Sequence, residues 1–560
     1  MGDSLLINKN LIKVLGVILI VSLFLLAFSF PVGSVSSENQ WTTKKPMPTP
    51  RGGFGIAVAN GKIYAIGGLN NDSNLAVNQV YDPVMNFWRT RKPMPTPRSG
   101  CAVASYQGKI YVIGGTVGVT TNLISEFTGI VEVYDPTTDT WETKTPMPTP
   151  RADLRASVVD GKIYLIGGKE RWGEESLYHE LDVNEVYHPV NDSWTIASPI
   201  PVPAFGYASA VIDGNIYVFG GARQLSTGFN DLTSVGLTQV YDVKNNTWSS
   251  KASIPIAVSF ATAEATGGLT APQRVYLVGG FNQFGYSNVV SVYDVETNRW
   301  GLGATMPTAR GYLALAVVED VLYAIGGFDG ATWLAMNEEY MPFGYGTVPP
   351  ELHVLSPENK TYTNNNVSLV LSVNKPTTWI GYSLDAQTNV SVTGDTVLTG
   401  VPEGQHRVIV YVNDTFGNLV SSGAIYFSVD TRAPSITVFS PENKTYDGSD
   451  IQSVISVDEP VSWIGYSLDG QDNVTITANV TLAVLNDGSH NITFYAIDLF
   501  GNSGVSHTIY FYIATFPFVW VVGVAVTTTI VIAASYLLVK RRLASAKEGK
   551  HTNSPKKGKA

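Results

Sequence analysis

The chain has 560 residues, enough for three or four domains at roughly 150 residues each. Charged residues make up 15% of it, against about 25% in ordinary globular proteins, while 53 Gly and 28 Tyr point to turns and strands rather than long solvated helices. A net charge of −10 argues against a nucleic-acid partner, and a single cysteine excludes an intramolecular disulfide framework and a Cys-rich zinc site.

In chain order, the first element is an uncharged run from Val14 to Phe30 that follows Lys9 and Lys13. A basic stretch leading into an apolar one reads as a secretory signal, so residues 1–34 are expected to be a signal peptide or, if retained, an anchor. A repeat then begins. Trp recurs at 41, 88, 141, 194, 248 and 300, and a Gly-Gly pair at 67, 114, 167, 220, 279 and 326. The interval from Trp to Gly-Gly is 26 in five units and 31 in the unit beginning at Trp248. Tyr81, Tyr134, Tyr187, Tyr241 and Tyr293 each stand seven residues before the next Trp.

Each unit reads as four strands: a small-residue run after a Pro-rich turn, a tight turn, an apolar run ending at Gly-Gly, a VYD strand and a Trp strand. Runs that are apolar throughout suit strands covered on both faces. The pattern resembles the kelch repeat family, and six units imply a six-bladed β-propeller over residues 41–347. The sixth unit has Tyr340 but Thr347 where a Trp would stand, so the segment around Trp41 is expected to supply that blade's outer strand and close the ring. The recurring Tyr and Trp are assigned to the core, as is Cys101.

From Pro350 the pattern changes. SPENKTY at 356 and 440, WIGYSLD at 379 and 463, and VNDTFGN at 412 against AIDLFGN at 496 all repeat at an offset of 84. Alternating strands separated by turns predict two β-sandwiches, 348–431 and 432–514, which resemble bacterial and archaeal immunoglobulin-like modules. Asp414 and Asp498, with Asn418 and Asn502, are read as tying their own turns rather than holding calcium. Eight of eleven N-x-S/T sequons fall here, at Asn359, Asn366, Asn389, Asn413, Asn443, Asn473, Asn479 and Asn491, and suggest a glycosylated exterior. Phe516 to Val539 is apolar and is followed by Lys540, Arg541 and Arg542, which predicts a transmembrane helix over 516–539 and a basic cytoplasmic tail over 540–560. The fold class expected is all-β apart from these terminal segments, and the location expected is the plasma membrane, single-pass, with the rest outside.

Ten residues after each Trp stand Arg51, Arg98, Arg151, Ala204, Val258 and Arg310. Four arginines in contiguous blades suggest a half-ring for carboxylate or sulfate recognition; the alternative is that each belongs to its repeat's turn and braces the next loop. Loops after Gly-Gly are longer in units two to four and carry Phe127, Trp172, Tyr178, His179 and Phe229, a surface suited to sugar or protein contact. The function expected is surface binding or adhesion to an extracellular glycan, cell-wall component or protein, with no cofactor or metal. Two alternatives stand beside it. One is a carbohydrate-active enzyme resembling the kelch-group sialic-acid epimerases, with Glu174, Glu175 or His179 as acid/base groups. The other is a structural surface-layer component. Copper radical oxidases of the kelch group need histidine ligands, and the propeller region holds only His179 and His188.

Overall fold

The computed structural model describes residues 38–71, 73–118, 126–172, 177–224, 232–515 and 518–548. The expected signal peptide lies outside the described residues. Two compact units are present, Met1–Glu351 with Val373–Thr378 and Val412–Val420, and Leu352–Ser372 with Trp379–Tyr411 and Ser421–Ala560.

The first unit contains six four-stranded antiparallel sheets, the blades of a propeller. Blade one is typical. Its inner strand Gly55–Ala59 turns at Asn60 and Gly61, both at positive φ (52° and 69°), into Lys62–Ile66. Two positive values make the tight hairpin turn that follows sheet twist. Asn78–Asp82 and the outer strand Phe87–Arg91 complete the sheet. Gly68 (φ 100°) lets the chain leave the second strand against Phe54, where a Cβ would come within 2.7 Å of the Phe54 Cβ.

Blade six is completed from the other end of the propeller. Gln40–Thr43 pairs with Asn337–Met341, setting Trp41 opposite Tyr340. The inner strands touch in a closed circle, blade six against blade one included. A single apolar cluster joins Ala314, Ala316 and Tyr323 of blade six to Ile63, Tyr81 and Trp88 of blade one.

The recurring aromatics form one clamp in every blade. Tyr and Trp rings lie 4.9–5.1 Å apart in all six, from Trp41–Tyr340 to Tyr293–Trp300. Each tyrosine hydroxyl donates to an Asn or Asp two residues before the Trp, as Tyr81 does to Asn86 at 2.8 Å. That side chain in turn accepts a backbone N–H from the strand linker, as Asn86 does from Lys45 at 2.9 Å. The indole N–H of the Trp also bonds a linker carbonyl, 2.8 Å for Trp88 to Lys45. Burying each tyrosine ring stabilises the fold by about 2 kcal/mol, provided its hydroxyl keeps a partner, and this relay supplies one.

Beyond the propeller, each 84-residue copy builds a six-stranded sheet facing shorter strands: Leu352–Ser356, Val367–Val373 and Thr396–Leu398 in the first, Ile436–Ser440, Val454–Val457, Ile451–Gln452 and Thr481–Leu482 in the second. In the second copy Ile451 and Leu482 pack on Ile492, Phe494 and Phe511, so the core lies between its sheets.

The C-terminal helix, Phe518–Glu548, corrects the expected membrane span, and with it the single-pass location. Among the described residues no helix is long and apolar enough to cross a membrane.

Candidate functional site

The four arginines do occupy one register position, but buried inside the blades. Arg51, Arg98, Arg151 and Arg310 are each 0% exposed. Arg98 Nη2 lies 2.8 Å from Glu132 and Arg310 Nη1 2.7 Å from Glu338, while Arg151 pairs with Glu185. Other donors go to blade carbonyls, such as Arg51 Nη2 to Ala65 O at 2.9 Å. Arg51 faces the neutral Gln79 at 2.7 Å instead of a carboxylate, and burial pulls its guanidinium down to about 9. Turned inward and bonded through their Nη atoms, though Nε of Arg51, Arg98 and Arg310 is buried without a partner among the described residues, these groups brace strands and do not form the expected ligand half-ring.

Two residues beyond that position in each unit, the chain meets its neighbours around the propeller axis. Gly53, Gly100, Asp153, Gly206, Phe260 and Tyr312 all take left-handed backbone, φ 51–61°. Each N–H donates to the carbonyl of its neighbour in the preceding blade: Gly100 to Gly53, Asp153 to Gly100, Gly206 to Asp153, Phe260 to Gly206, Tyr312 to Phe260 and Gly53 to Tyr312, at 2.6–3.0 Å. The result is a closed collar of six peptide hydrogen bonds around the axis. Glycine suits this conformation; Asp, Phe and Tyr adopt it at a cost of about 1–3 kcal/mol each.

Side chains make the collar lopsided. On the Phe260 side, its ring stacks on Tyr312 at 4.4 Å and meets Phe205 at 6.0 Å. The array continues through Tyr178 and Phe127, each 6.4 Å from the previous ring. Lys169 threads through it, 2.7 Å from Asp153 and 4.0 Å from the centroid of Tyr178. In blades five and six, Phe281, Tyr286, Phe328 and Trp333 form a second chain of edge and tilted contacts. Phe284, at the tip of the hairpin in blade five, is 82% exposed. Burial pushes the Tyr312 phenol well above its ordinary value, helped by Asp153.

Of the other expected site residues, His179 lies 3.5 Å from Glu170 on the hairpin of blade three and Tyr178 joins the array above. The Trp172 side chain, Phe229, Glu174 and Glu175 lie outside the described residues. Cys101 is buried in an apolar cluster with Tyr64 and Tyr134, and burial raises its thiol. In the sandwiches, Asp414 and Asp498 accept the backbone N–H groups of their own turns, including Asn418 and Asn502, each at 2.9 Å. Among the candidate glycosylation sites Asn359, Asn366, Asn389, Asn443, Asn473 and Asn479 are exposed, whereas Asn413 and Asn491 are half-buried. The collar residues were missed from sequence; their only signal is a fixed spacing, because Gly, Asp, Phe and Tyr share no chemistry.

A family profile described as "Attractin/LZTR1 beta-propeller" matches residues 63–336, the span of these blades. The propeller is of the kelch type. Curated relatives of the kelch propeller include Kelch-like protein terF of Aspergillus terreus, 30% identical over 36% of this chain and 43% of that protein. Kelch-like protein 25 of Xenopus tropicalis is 29% identical over 33% and 30%, and Kelch-like protein 15 of Homo sapiens 27% over 35% and 33%. The chain thus spans less than half the length of these relatives. A solved chain titled "Structure of YjhT" aligns over 53% of this chain and 96% of its own at 17% identity, with a TM-score of 0.44.

Proposed function

We propose that the chain is a binding protein whose kelch propeller docks a protein partner on the collar face, with the two sandwiches as immunoglobulin-like spacers. The observation that carries this reading is the asymmetry of the collar. One part is bare glycine backbone, and the rest is a largely buried stack of Phe205, Phe260 and Tyr312 beside Lys169, with Phe284 exposed. Rigid aromatics with a few polar groups, set on loops over a rigid scaffold, are what protein hot spots are built from. Kelch domains typically serve protein binding, which favours a protein over a glycan here.

The test replaces Phe260 and Tyr312 together by Gly, the residue that Gly53 shows the collar accepts, and adds Phe284→Ala. Full-length wild type and variant are crosslinked in cells of the source and compared by quantitative mass spectrometry. Proteins enriched on wild type and lost from a variant of unchanged melting temperature support the reading. Equal enrichment on both sinks it.

A further inference from the structure

The propeller axis holds a cavity of about 510 Å³, walled by the inner strands of all six blades. Its register is visible by counting from the collar. Two residues on, the blades carry Gly55, Ala102, Arg155, Ala208, Thr262 and Ala314; four residues on, Ala57, Ala104, Ser157, Ala210, Glu264 and Ala316. Ten of these twelve are small. Five blades therefore show that each position packs without a charge, and the two exceptions line the same cavity.

Neither exception is consumed by the fold. Arg155 starts in blade three and reaches across to blade five, with contacts at the long end of the hydrogen-bond range: 3.4 Å to Tyr207 O and 3.3 Å to Ala261 O. Glu264 in blade five is raised by burial and lowered by the charge of Arg155, and among the described residues no hydrogen bond reaches its carboxyl. Burial raises that carboxyl to about 8 and lowers the guanidinium. Among the described residues no ion pair within 4.0 Å joins the two. Two groups of opposite charge thus line one cavity without an ion pair, alongside Glu319 and Asp320, whose carboxylate accepts the N–H groups of Gly267, Thr270 and Ala271.

We propose that this axial cavity binds a small carboxylate, its carboxylate on Arg155 and a second polar group of the ligand on Glu264. A guanidinium offers paired N–H donors that match a carboxylate, and the interaction strengthens away from bulk water. The volume lies within the roughly 300–1,000 Å³ of small-molecule sites and is far too small for a folded partner. Two sources share this chemistry. A hydroxy- or simple monocarboxylate would take a proton-donating Glu264, whereas an α-amino acid would place its ammonium on an ionised one. The site is separate from the collar surface, so it stands whether or not a protein docks there.

The test uses the full chain with two series of probes at millimolar concentration, L-lactate and propionate against L-alanine and glycine, read by thermal shift and by calorimetry. Saturable binding by one series is expected, with a rise in melting temperature that follows the ligand concentration. Arg155→Ala, which installs the residue of Ala102 and Ala208, should weaken it at least tenfold. Glu264→Ala, the residue of the other blades, should weaken the amino acids more than propionate. Both variants copy what neighbouring blades already fold with. Silence from both series, or binding that survives Arg155→Ala, overturns the proposal.

Discussion

In blade two the position ten residues after the Trp is Arg98, and the position two residues before the Tyr is Glu132; in blade five the same two positions are Val258 and Ser291. Blade two buries a salt bridge of 2.8 Å where blade five packs Val258 into an apolar cluster with Ile254 and Tyr293. Blade four lies between the two solutions. Ala204 replaces the arginine, and Gln239 turns to the backbone, accepting from Val202 N and donating to Val202 O, each at 2.9 Å. One scaffold thus tolerates an ionic, an amide and an apolar filling at one place. Blade one keeps half of a pair, Arg51 buried against the neutral Gln79, and there burial pulls the guanidinium down. The lesson is that the bridge costs desolvation about as large as the attraction it returns, whereas a stranded charge is costly outright.

The largest way to break the comparison is to strand the charge. Arg98→Ala leaves Glu132 buried without its partner and should cost about 3–5 kcal/mol in urea unfolding. Next, Arg98→Val with Glu132→Ser copies blade five into blade two. It should recover much of that loss, giving a coupling of about 2 kcal/mol in the double-mutant cycle; a cost equal to the sum of the singles would show the two positions to be independent. Third, Gln79→Glu gives the buried Arg51 the carboxylate that blades two, three and six supply, and should stabilise by about 1 kcal/mol.

A pH experiment sharpens the same contrast, because Glu264 is a charge installed without a bonded partner. Its carboxyl is raised from 4.5 to about 8 in the fold. The folded state therefore holds the proton more tightly than the unfolded chain. The stability this contributes is complete below about 4.5 and is lost as pH rises through about 8. Melting followed from pH 5 to pH 9 should fall more steeply for wild type than for Glu264→Gln. Smallest is the sandwich counterpart. Lys375 of the first copy lies 2.9 Å from Asp414, but the matching residue of the second is Glu459, grouped with Asp430 and Asp498 and raised by burial and by those carboxylates. Glu459→Lys should raise the melting temperature slightly at neutral pH and not at all at pH 4, where less repulsion remains to be relieved.

The propeller was legible because its clamp repeats strictly. Trp, Tyr and Gly-Gly do the same work six times, and the missing sixth Trp pointed to Trp41 as the closing strand. The Asn or Asp two residues before each Trp went unread, though Asn39, Asn86, Asp139, Asp192, Asn246 and Asn298 keep their spacing as strictly as the tyrosines. Spacing located the arginines but not their depth. The covariation of Arg98 with Glu132 and of Val258 with Ser291 was the signal that they turn inward. The collar and the cavity depend on which strands meet at an axis, which no local pattern carries. At the C-terminus, the apolar run and its basic stop looked sufficient for a span, but among the described residues no helix is long and apolar enough to make one.

The pairing of Gln40–Thr43 with Asn337–Met341 has a consequence for synthesis. Asn39 and its partner Tyr340 are 301 residues apart. At about 5–20 residues per second the ribosome needs about 15–60 s to bring the second within reach of the first. During that interval Trp41 and its strand have nothing to pair with, and until Tyr312 is made the collar lacks its last link. The first five blades can stack as they emerge, but the ring is an event of the last blade. Translation arrest before Asn337 would leave an open strand edge at one end and an unclaimed strand at the other, the two surfaces through which such a chain would aggregate or exchange strands with a second copy.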